Sequence, residues 1–392
     1  MGCSVSIVGG NHSGYGLLGD LVMEMEHHFH GVEADHASGC IRVEAGVKLQ
    51  ALAAKAAEAG LIVPLGTAPS VGIGLILQGG VGHLTRRLGL ALDAVQSIQL
   101  VLAAGDVVTV DRESSDESKK DLFWALCGCG PNFGVVTSLE LKAAQLQSFR
   151  ATRHIFRLPT STAEATTLLR DYMLRARSLT RDCCSDCCLY MADDLTEQDG
   201  MLMGIYDFNL GCDVPPMKTS AQLVLNRVDE GLDTVQLMAQ EPYLCEQPAG
   251  VVQRGFLCSR FFACDAEISE AVVESLKEAP SRHCYFHFQH MGGAVADGSS
   301  AFLARDAEWS LVISAAWAED EGDCSHWVKS VMEVLLPVAL GCYATDLGPD
   351  DVDLARQTFG THTSRLLRLK QKWDPGNMFR HGFPLSQLGQ AP

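Results

Sequence analysis

The fold of this chain is decided by residues 66–93, which read GTAPSVGIGLILQGGVGHLTRRLGLALD. Glycines recur throughout residues 66–82, and this density allows backbone N–H groups to approach a phosphate or a flat ring without an intervening Cβ. The segment is not a nicotinamide-type G-x-G-x-x-G fingerprint, because residues 72–77 lack the third glycine. Taken alone, the glycines are equally compatible with a set of turns.

Composition narrows the class of protein. The chain has 392 residues, of which 47% are hydrophobic and 20% charged, as expected for a globular protein of about two domains. Its formal net charge of −18 argues against nucleic acid and anionic membrane surfaces as partners. Neither a signal peptide nor a membrane-spanning run of roughly 18 apolar residues is apparent, so a cytoplasmic location is expected.

The cysteines favour a reducing environment. There are 15 of them, an odd number, spread along a long chain, which predicts thiols and not a disulfide framework. The densest group, DCCSDCCLY at residues 182–190, contains a C-x-x-C spacing at Cys184 and Cys187 that could hold a metal or a redox pair. No second ligand pair follows at zinc-site spacing, so packing as small apolar side chains is preferred and no metal is expected.

Periodicity divides the chain into two kinds of region. Before about residue 145, short strands alternate with helices, including an alanine-rich helix ended by Gly60 and two strands joined by a turn in residues 97–110. Beyond it, strand-like segments at 283–293 and 309–317 accompany amphipathic helices at 267–279 and 325–339, followed by a C-terminal helix stopped by Asp374, Pro375 and Gly376. This pattern indicates an α+β fold.

Three blocks in a fixed order resemble a known family. They are GGNHSGYG (9–16), the glycine-rich segment quoted above, and DLFWALCGCGPNFGVVTSLEL (121–141). Together they resemble the PCMH-type FAD-binding domain of the vanillyl-alcohol oxidase superfamily, in particular its berberine-bridge-enzyme-like branch. Residues 290–317 and 359–379 resemble that family's substrate-domain block and C-terminal ending, so the resemblance spans nearly the whole chain.

The resemblance implies a domain arrangement and an activity. Residues 1–148 would form the FAD-binding domain, 149–348 a substrate domain made of an antiparallel sheet covered by helices, and 349–392 a segment that returns to the FAD domain. The implied reaction is FAD-dependent oxidation of a small organic molecule by hydride transfer, with reoxidation by oxygen or another acceptor. A degenerate, flavin-free relative that acts as a binding or structural protein is the alternative, because the family's usual segment before the histidine block is missing.

The family's cofactor contacts can be carried over residue by residue. His12 aligns with the histidine that carries FAD covalently, whereas Ala68 replaces the cysteine of a second tether, so a single tether is implied. The other implied FAD-binding residues are Gly10, Asn11, Ser13, Val71, Gly72, Gly74, Gly79, Gly80, Gly82, Gly134, Val135, Val136 and Asn377.

The catalytic base is the least specified part of the resemblance. A family block that contains tyrosines corresponds to CYATDLG, residues 342–348, in which Tyr343 is kept and Asp346 replaces the second tyrosine. A phenol or a carboxylate at this place could take a proton from a substrate hydroxyl. Tyr343 and Asp346 are therefore both candidate catalytic residues, and a packing role for Tyr343 is equally compatible with the sequence.

Overall fold

The computed structural model describes residues 3–12, 19–191, 200–210, 214–233, 235–236, 253–318, 322–380 and 385–389. The chain divides into two units. The first consists of Met1–Gln147, Ala294–Arg305 and Gly341–Pro392, and the second of Ser148–Gly293 and Asp306–Leu340. The domain boundaries predicted at residues 148 and 348 refer to independently folding domains and not to these two units, and they stay a prediction.

The first unit is built on a five-stranded antiparallel sheet. The order across the sheet is β3 (Val32–Asp35), β4 (Cys40–Glu44), β8 (Val135–Lys142), β6 (Val95–Val101) and β7 (Val107–Asp111). Two smaller pairs accompany it, namely β1 (Val5–Val8) parallel to β2 (Leu21–Glu24), and β5 (Leu61–Ile62) antiparallel to β9 (Ala144–Gln145).

The first unit contains five α-helices in its described residues, and local sequence explains the end of one and the start of another. They are α1 (Leu49–Glu58), α2 (Thr85–Leu88), α3 (Glu117–Cys129), α7 (Val352–Phe359) and α8 (Thr363–Trp373). Gly60, just after α1, has a φ of +67°, which confirms the predicted helix end. Asp116 caps α3, because its carboxylate accepts hydrogen bonds from the backbone N–H groups of Ser118 and Lys119.

The second unit is a seven-stranded antiparallel sheet in its described residues. The order is β13 (Leu223–Leu232), β10 (Phe149–Arg157), β12 (Met201–Asn209), β11 (Cys183–Met191), β15 (Tyr285–His290), β16 (Trp309–Ala318) and β14 (Gln253–Phe262). The helices α4 (Thr162–Arg177), α5 (Ser269–Lys277) and α6 (Ser325–Leu335) share one hydrophobic core with its central strands. The α+β prediction, with a helix-covered antiparallel sheet, is confirmed.

The cysteine-rich segment forms the central strand β11. Cys187 packs in the core with the helices, whereas the Sγ atom of Cys184 lies 3.4 Å from Asp186 Oδ1. Residues three apart on a strand point to opposite faces, so this pair does not converge on one ion. Cys183 is disulfide-bonded, and at this residue the expectation of reduced thiols is wrong; the other cysteines of the described ranges are thiols.

Two histidines of β15 are buried within the second unit. The Nε2 atom of His287 lies 3.3 Å from Asp186 Oδ2. His290 stacks on the indole ring of Trp309, and its Nε2 atom lies 2.9 Å from Glu308 Oε1. Among the helices that the structure describes, none combines the length and the apolarity needed to cross a bilayer.

Candidate functional site

Two glycine-rich segments of the first unit cross at Gly10 and Gly72. A Cβ on Gly10 would lie 2.3 Å from the backbone nitrogen of Gly72, and a Cβ on Gly72 would lie 2.6 Å from that of Gly10. The second segment is anchored to α1, because Leu49 N–H donates to Val71 O and Ile73 N–H donates to Val47 O. The histidine block and the glycine-rich stretch, distant in sequence, thus form one backbone surface without side chains at its centre.

His12 lies beside this crossing. Asn11 precedes it with a φ of +53°, and the hydroxyl of Ser70 lies 3.2 Å from His12 Nε2. Desolvation lowers the pKa of His12 below its ordinary value and the positive charge of Lys48 lowers it further, although a hydrogen bond with Ser70 raises it. The imidazole is therefore biased toward its neutral, nucleophilic form. Ser13, the remaining predicted residue of this block, lies outside the described residues.

The stretch after the crossing forms a short 3-10 helix, Ile73–Gln78, followed by a glycine turn. Gly79 and Gly80 have φ values of +140° and +73°, which only glycine adopts readily. A Cβ on Gly82 would lie 1.9 Å from Leu65 O. These three predicted residues are buried. Their lack of a side chain allows the tight turn and the close approach to neighbouring backbone.

The glycine turn holds Tyr343. Val81 N–H donates a 2.8 Å hydrogen bond to Tyr343 Oη, and a Cβ on Gly79 would lie 2.9 Å from the phenol ring. The ring of Phe302 lies against the same glycine, at 3.1 Å from that Cβ position. Sequence reasoning missed Phe302 and Val81, because a single aromatic side chain and a backbone N–H leave no recognisable motif.

Burial determines the protonation state of the Tyr343 phenol. Desolvation raises the pKa of its phenol far above the ordinary value, the Val81 hydrogen bond opposes this rise, and the negative charge of Asp346 adds to it. The phenol therefore stays protonated near neutral pH. Asp346 is half-buried three residues on and accepts a hydrogen bond from the Thr345 hydroxyl at 3.3 Å. The structure thus brings the two predicted catalytic residues into electrostatic contact.

Gly74, Gln78 and Asn377 each leave open space or an unpaired atom among the described residues of this unit. A Cβ on Gly74 would meet no atom within 4 Å, so open space lies beside its backbone. The Oε1 atom of Gln78 and the Oδ1 atom of Asn377 are buried and have no hydrogen-bond partner in the described structure. Buried amide oxygens are ordinarily paired, so both positions await a donor.

Asn377 is held by a network of buried charges. The ammonium of Lys370 donates to Asp374 Oδ2, Asn132 O and Phe379 O at 2.7–2.8 Å. Asp374 in turn accepts hydrogen bonds from the backbone N–H groups of Met378 and Phe379. This arrangement fixes the loop in which Asn377 adopts a φ of +50° and turns its Nδ2 group toward Ser386 Oγ, 3.1 Å away.

The residues predicted near the adenine end lie at the start of β8. A Cβ on Gly134 would lie 2.7 Å from Val101 O, so glycine is required by the neighbouring strand. The side chain of Val135 packs in a small core with Val5, Met25 and Phe379. Val136 pairs with Leu100 in the sheet. The Val135 side chain is thus taken up by this core whereas Val136 is half-buried, and contact of these residues with a cofactor stays a prediction.

The residues present fit FAD. A flat ring and a pyrophosphate need close backbone approach, which the Gly10–Gly72 crossing provides. The ring N3–H group and the ribityl hydroxyls are donors from which unpaired amide oxygens can accept. The open space at Gly74 adjoins the crossing, and His12 is placed at its edge. Ser70 and Lys48, which orient and polarise His12, were not singled out from the sequence, although Ser70 lies in the quoted stretch.

Two family models match parts of this chain, one at each end. The family model described as "FAD binding domain" matches residues 1–111, and the model described as "Berberine and berberine like" matches residues 344–383. The first match contains the crossing and the His12 block, and the second contains Asp346 and Asn377 and begins one residue after Tyr343.

Relatives match over most of the chain. An FAD-linked oxidoreductase of Dictyostelium discoideum is 28% identical over 367 residues, which cover 89% of this chain and 76% of the relative. A xylooligosaccharide oxidase of Thermothelomyces thermophilus is 25% identical and covers 95% of this chain and 79% of its own length. The crystal structure of 6-hydroxy-D-nicotine oxidase from Arthrobacter nicotinovorans shares the fold, with a TM-score of 0.81 at 22% identity over 97% of this chain and 86% of that one.

Proposed function

We propose that this chain, which belongs to the FAD-linked oxidoreductases of the vanillyl-alcohol oxidase and berberine-bridge-enzyme-like family, oxidises a small organic molecule with FAD tethered at His12 and oxygen as the electron acceptor. The flavin-free alternative is not favoured, since the relatives are named oxidases and FAD-linked oxidoreductases. Bound FAD would supply the group that receives hydride from the substrate.

One observation carries the proposal. The backbones of Gly10 and Gly72 meet where no Cβ fits, and an imidazole biased toward its neutral form stands at the edge of this crossing. A neutral imidazole has a lone pair for bond formation with an oxidised flavin, and Ser70 holds one of its nitrogens in place. Ala68 offers no second nucleophile, so a single tether is proposed.

We assign different roles to the two candidate catalytic residues. Tyr343 stays protonated, and its Oη atom accepts a hydrogen bond from Val81 N–H, which fixes the phenol in a place where it would orient a substrate oxygen or nitrogen. Asp346 carries the carboxylate and would accept the substrate proton as hydride leaves. Tyr343 therefore orients the substrate, and Asp346 accepts the substrate proton.

The substrate is proposed to be a small molecule with an oxidisable C–H next to a hydroxyl or amine. The named activities of the relatives include oxidation of a sugar oligomer and of a hydroxynicotine, which share this feature. Their substrates differ in size and charge, so no individual compound is assigned to this chain.

The cofactor proposal is tested by acid denaturation of purified wild-type protein, His12→Ala and the control His27→Ala, which changes an exposed histidine of the same unit. Flavin absorbance that stays with wild type and control but is released from His12→Ala supports the tether. Flavin released by acid from all three retains the FAD site and rejects the tether. Wild-type protein that binds no flavin, even after reconstitution, rejects the proposal.

The catalytic roles are tested by Tyr343→Phe and Asp346→Asn. Each is expected to retain flavin and to lower kcat/KM by about 10²-fold or more, the usual contribution of a group that moves or positions a reacting proton. Asp346→Asn should also remove the acidic limb of the kcat/KM pH profile, which Tyr343→Phe should keep. A profile unchanged by Asp346→Asn would exclude that carboxylate as the proton acceptor.

A further inference from the structure

Gln78 is the last residue of the 3-10 helix in the glycine-rich stretch. Its side chain is only 5% exposed, and its Oε1 atom has no hydrogen-bond partner in the described structure. An amide buried in this way without a donor is costly to folding, and native proteins seldom keep one unless something else completes it.

The neighbouring backbone groups are already committed. Gly79 N–H donates to Ile76 O, while Gly79 O accepts from Leu92 N–H and Gly80 O accepts from Ala91 N–H. Val81 N–H is occupied by the phenol of Tyr343. The N–H groups of Gly79 and Val81 are therefore not open to the Gln78 amide oxygen, which leaves that oxygen to accept from a bound molecule.

The position of Gln78 indicates which part of the bound molecule is involved. The next residue, Gly79, packs directly against the ring of Tyr343, the residue assigned to orient the substrate. A hydride can pass only between groups in contact, so the redox ring of FAD must lie near Tyr343 and hence near Gln78. The adenine and ribose of FAD belong to the other end of the cofactor.

We propose that Gln78 is a cofactor-binding residue whose Oε1 accepts a hydrogen bond from the isoalloxazine–ribityl half of FAD. This inference rests on the proposed FAD site. That half of the cofactor carries two kinds of donor, the N3–H group of the ring and the hydroxyls of the ribityl chain. Both present the same chemistry to an amide oxygen, and they can be separated by analogues.

The test uses the full chain with His12→Ala, so that FAD binds reversibly, and adds Gln78→Met, which keeps the side-chain length without an acceptor. The matched control is Thr166→Val in α4 of the other unit, where Thr166 Oγ1 is likewise buried without a partner in the described residues. FAD affinity is measured by fluorescence quenching, and stability of the apoprotein by its thermal midpoint. Covalent holoprotein with Gln78→Met is compared with wild type by flavin absorbance.

The two substitutions should differ in one measurement. Both should raise the apoprotein midpoint by about 1–3 °C, because each removes an unpaired buried polar atom. Gln78→Met alone should weaken FAD binding by about tenfold, the effect of one lost hydrogen bond, and shift the flavin bands of the covalent protein. With 3-deaza-FAD, or with FAD that lacks the 2′-, 3′- or 4′-hydroxyl of the ribityl chain, the tenfold difference should vanish for the analogue that lacks the paired donor.

Equal FAD affinity and equal flavin spectra with and without Gln78→Met would overturn the inference. A weaker affinity that none of these analogues cancels would also overturn it, because the donor would then lie outside this half of FAD. If protein with His12 intact binds no flavin, the proposed function itself fails and this inference fails with it.

Discussion

Lys370 and Gln78 are both buried polar side chains of the same unit, but their surroundings differ. The ammonium of Lys370 is 4% exposed and donates to three oxygens, one of them the carboxylate of Asp374. The amide of Gln78 is equally buried and its oxygen is unpaired within the described residues. Burial alone therefore does not distinguish a structural polar group from one that serves a ligand.

The difference lies in whether the chain completes the hydrogen bonds by itself. Around Lys370 each charge has its counter-charge and backbone partners, and the result is a fixed loop between α8 and the C-terminal segment. Around Gln78 and Gly74, an unpaired amide oxygen and open space are left over in the glycine-rich stretch of the described residues. We expect substitutions in the first region to change stability and those in the second to change cofactor binding.

The largest expected effect is from Lys370→Met. It leaves the buried Asp374 carboxylate without its cation, and loss of one member of a buried ion pair costs about 3 kcal/mol or more of unfolding free energy. Lys372→Met in the same helix, at an exposed position, should change it by less than about 0.5 kcal/mol. Denaturant unfolding measures both. A loss of similar size in the two variants would remove the distinction drawn above.

Smaller effects are expected from alanine substitutions at Gly72 and at Gly74. Gly72→Ala places a Cβ 2.6 Å from a backbone nitrogen, and such overpacking should destabilise the fold by about 2 kcal/mol. Gly74→Ala meets no atom within 4 Å, so its apoprotein should unfold like wild type. If FAD fills that space, Gly74→Ala should nevertheless retain less flavin. Full flavin retention by Gly74→Ala would place the cofactor elsewhere.

The smallest effect is a shift in pH dependence at His12. Its pKa lies below the ordinary value, so the neutral imidazole already predominates at pH 6.5. The rate of tether formation should therefore rise with pH and reach its plateau before pH 6.5. Lys48→Met removes one of the causes of the lowered pKa and should move the midpoint to higher pH. The rate of covalent flavin incorporation into apoprotein measures this. A midpoint that moves down would contradict the electrostatic assignment.

Hydrophobic periodicity was sufficient to predict eight of the strands and helices. The strands at β6, β7, β15 and β16 and the helices α1, α5, α6 and α8 are confirmed where apolar residues recur at strand or helix spacing. Such patterns reflect burial on one face, which is a local property of the sequence. The five ordered blocks supplied the family and the cofactor, as the comparisons agree.

Other features depend on distant parts of the chain and left no local signal. Residues Ala294–Arg305 join the first unit because Arg305 forms a two-pronged ion pair with Asp93, 212 positions earlier. Val135, predicted to contact FAD, turns its side chain into a core completed by Phe379. Gln78 ends an aliphatic run and was overlooked, since only three-dimensional structure reveals that a polar atom lacks a partner.

The hydrogen bond from Val5 N–H to Met378 O has a consequence for synthesis of the protein. Strand β1 finds this partner only after nearly the whole chain has left the ribosome, and the first unit also needs Ala294–Arg305 from within the second. The sheet of the second unit comes from a shorter interval of the chain. Contacts between distant residues slow folding, so the nascent flavin-binding unit should be the last to close and the one most in need of chaperones.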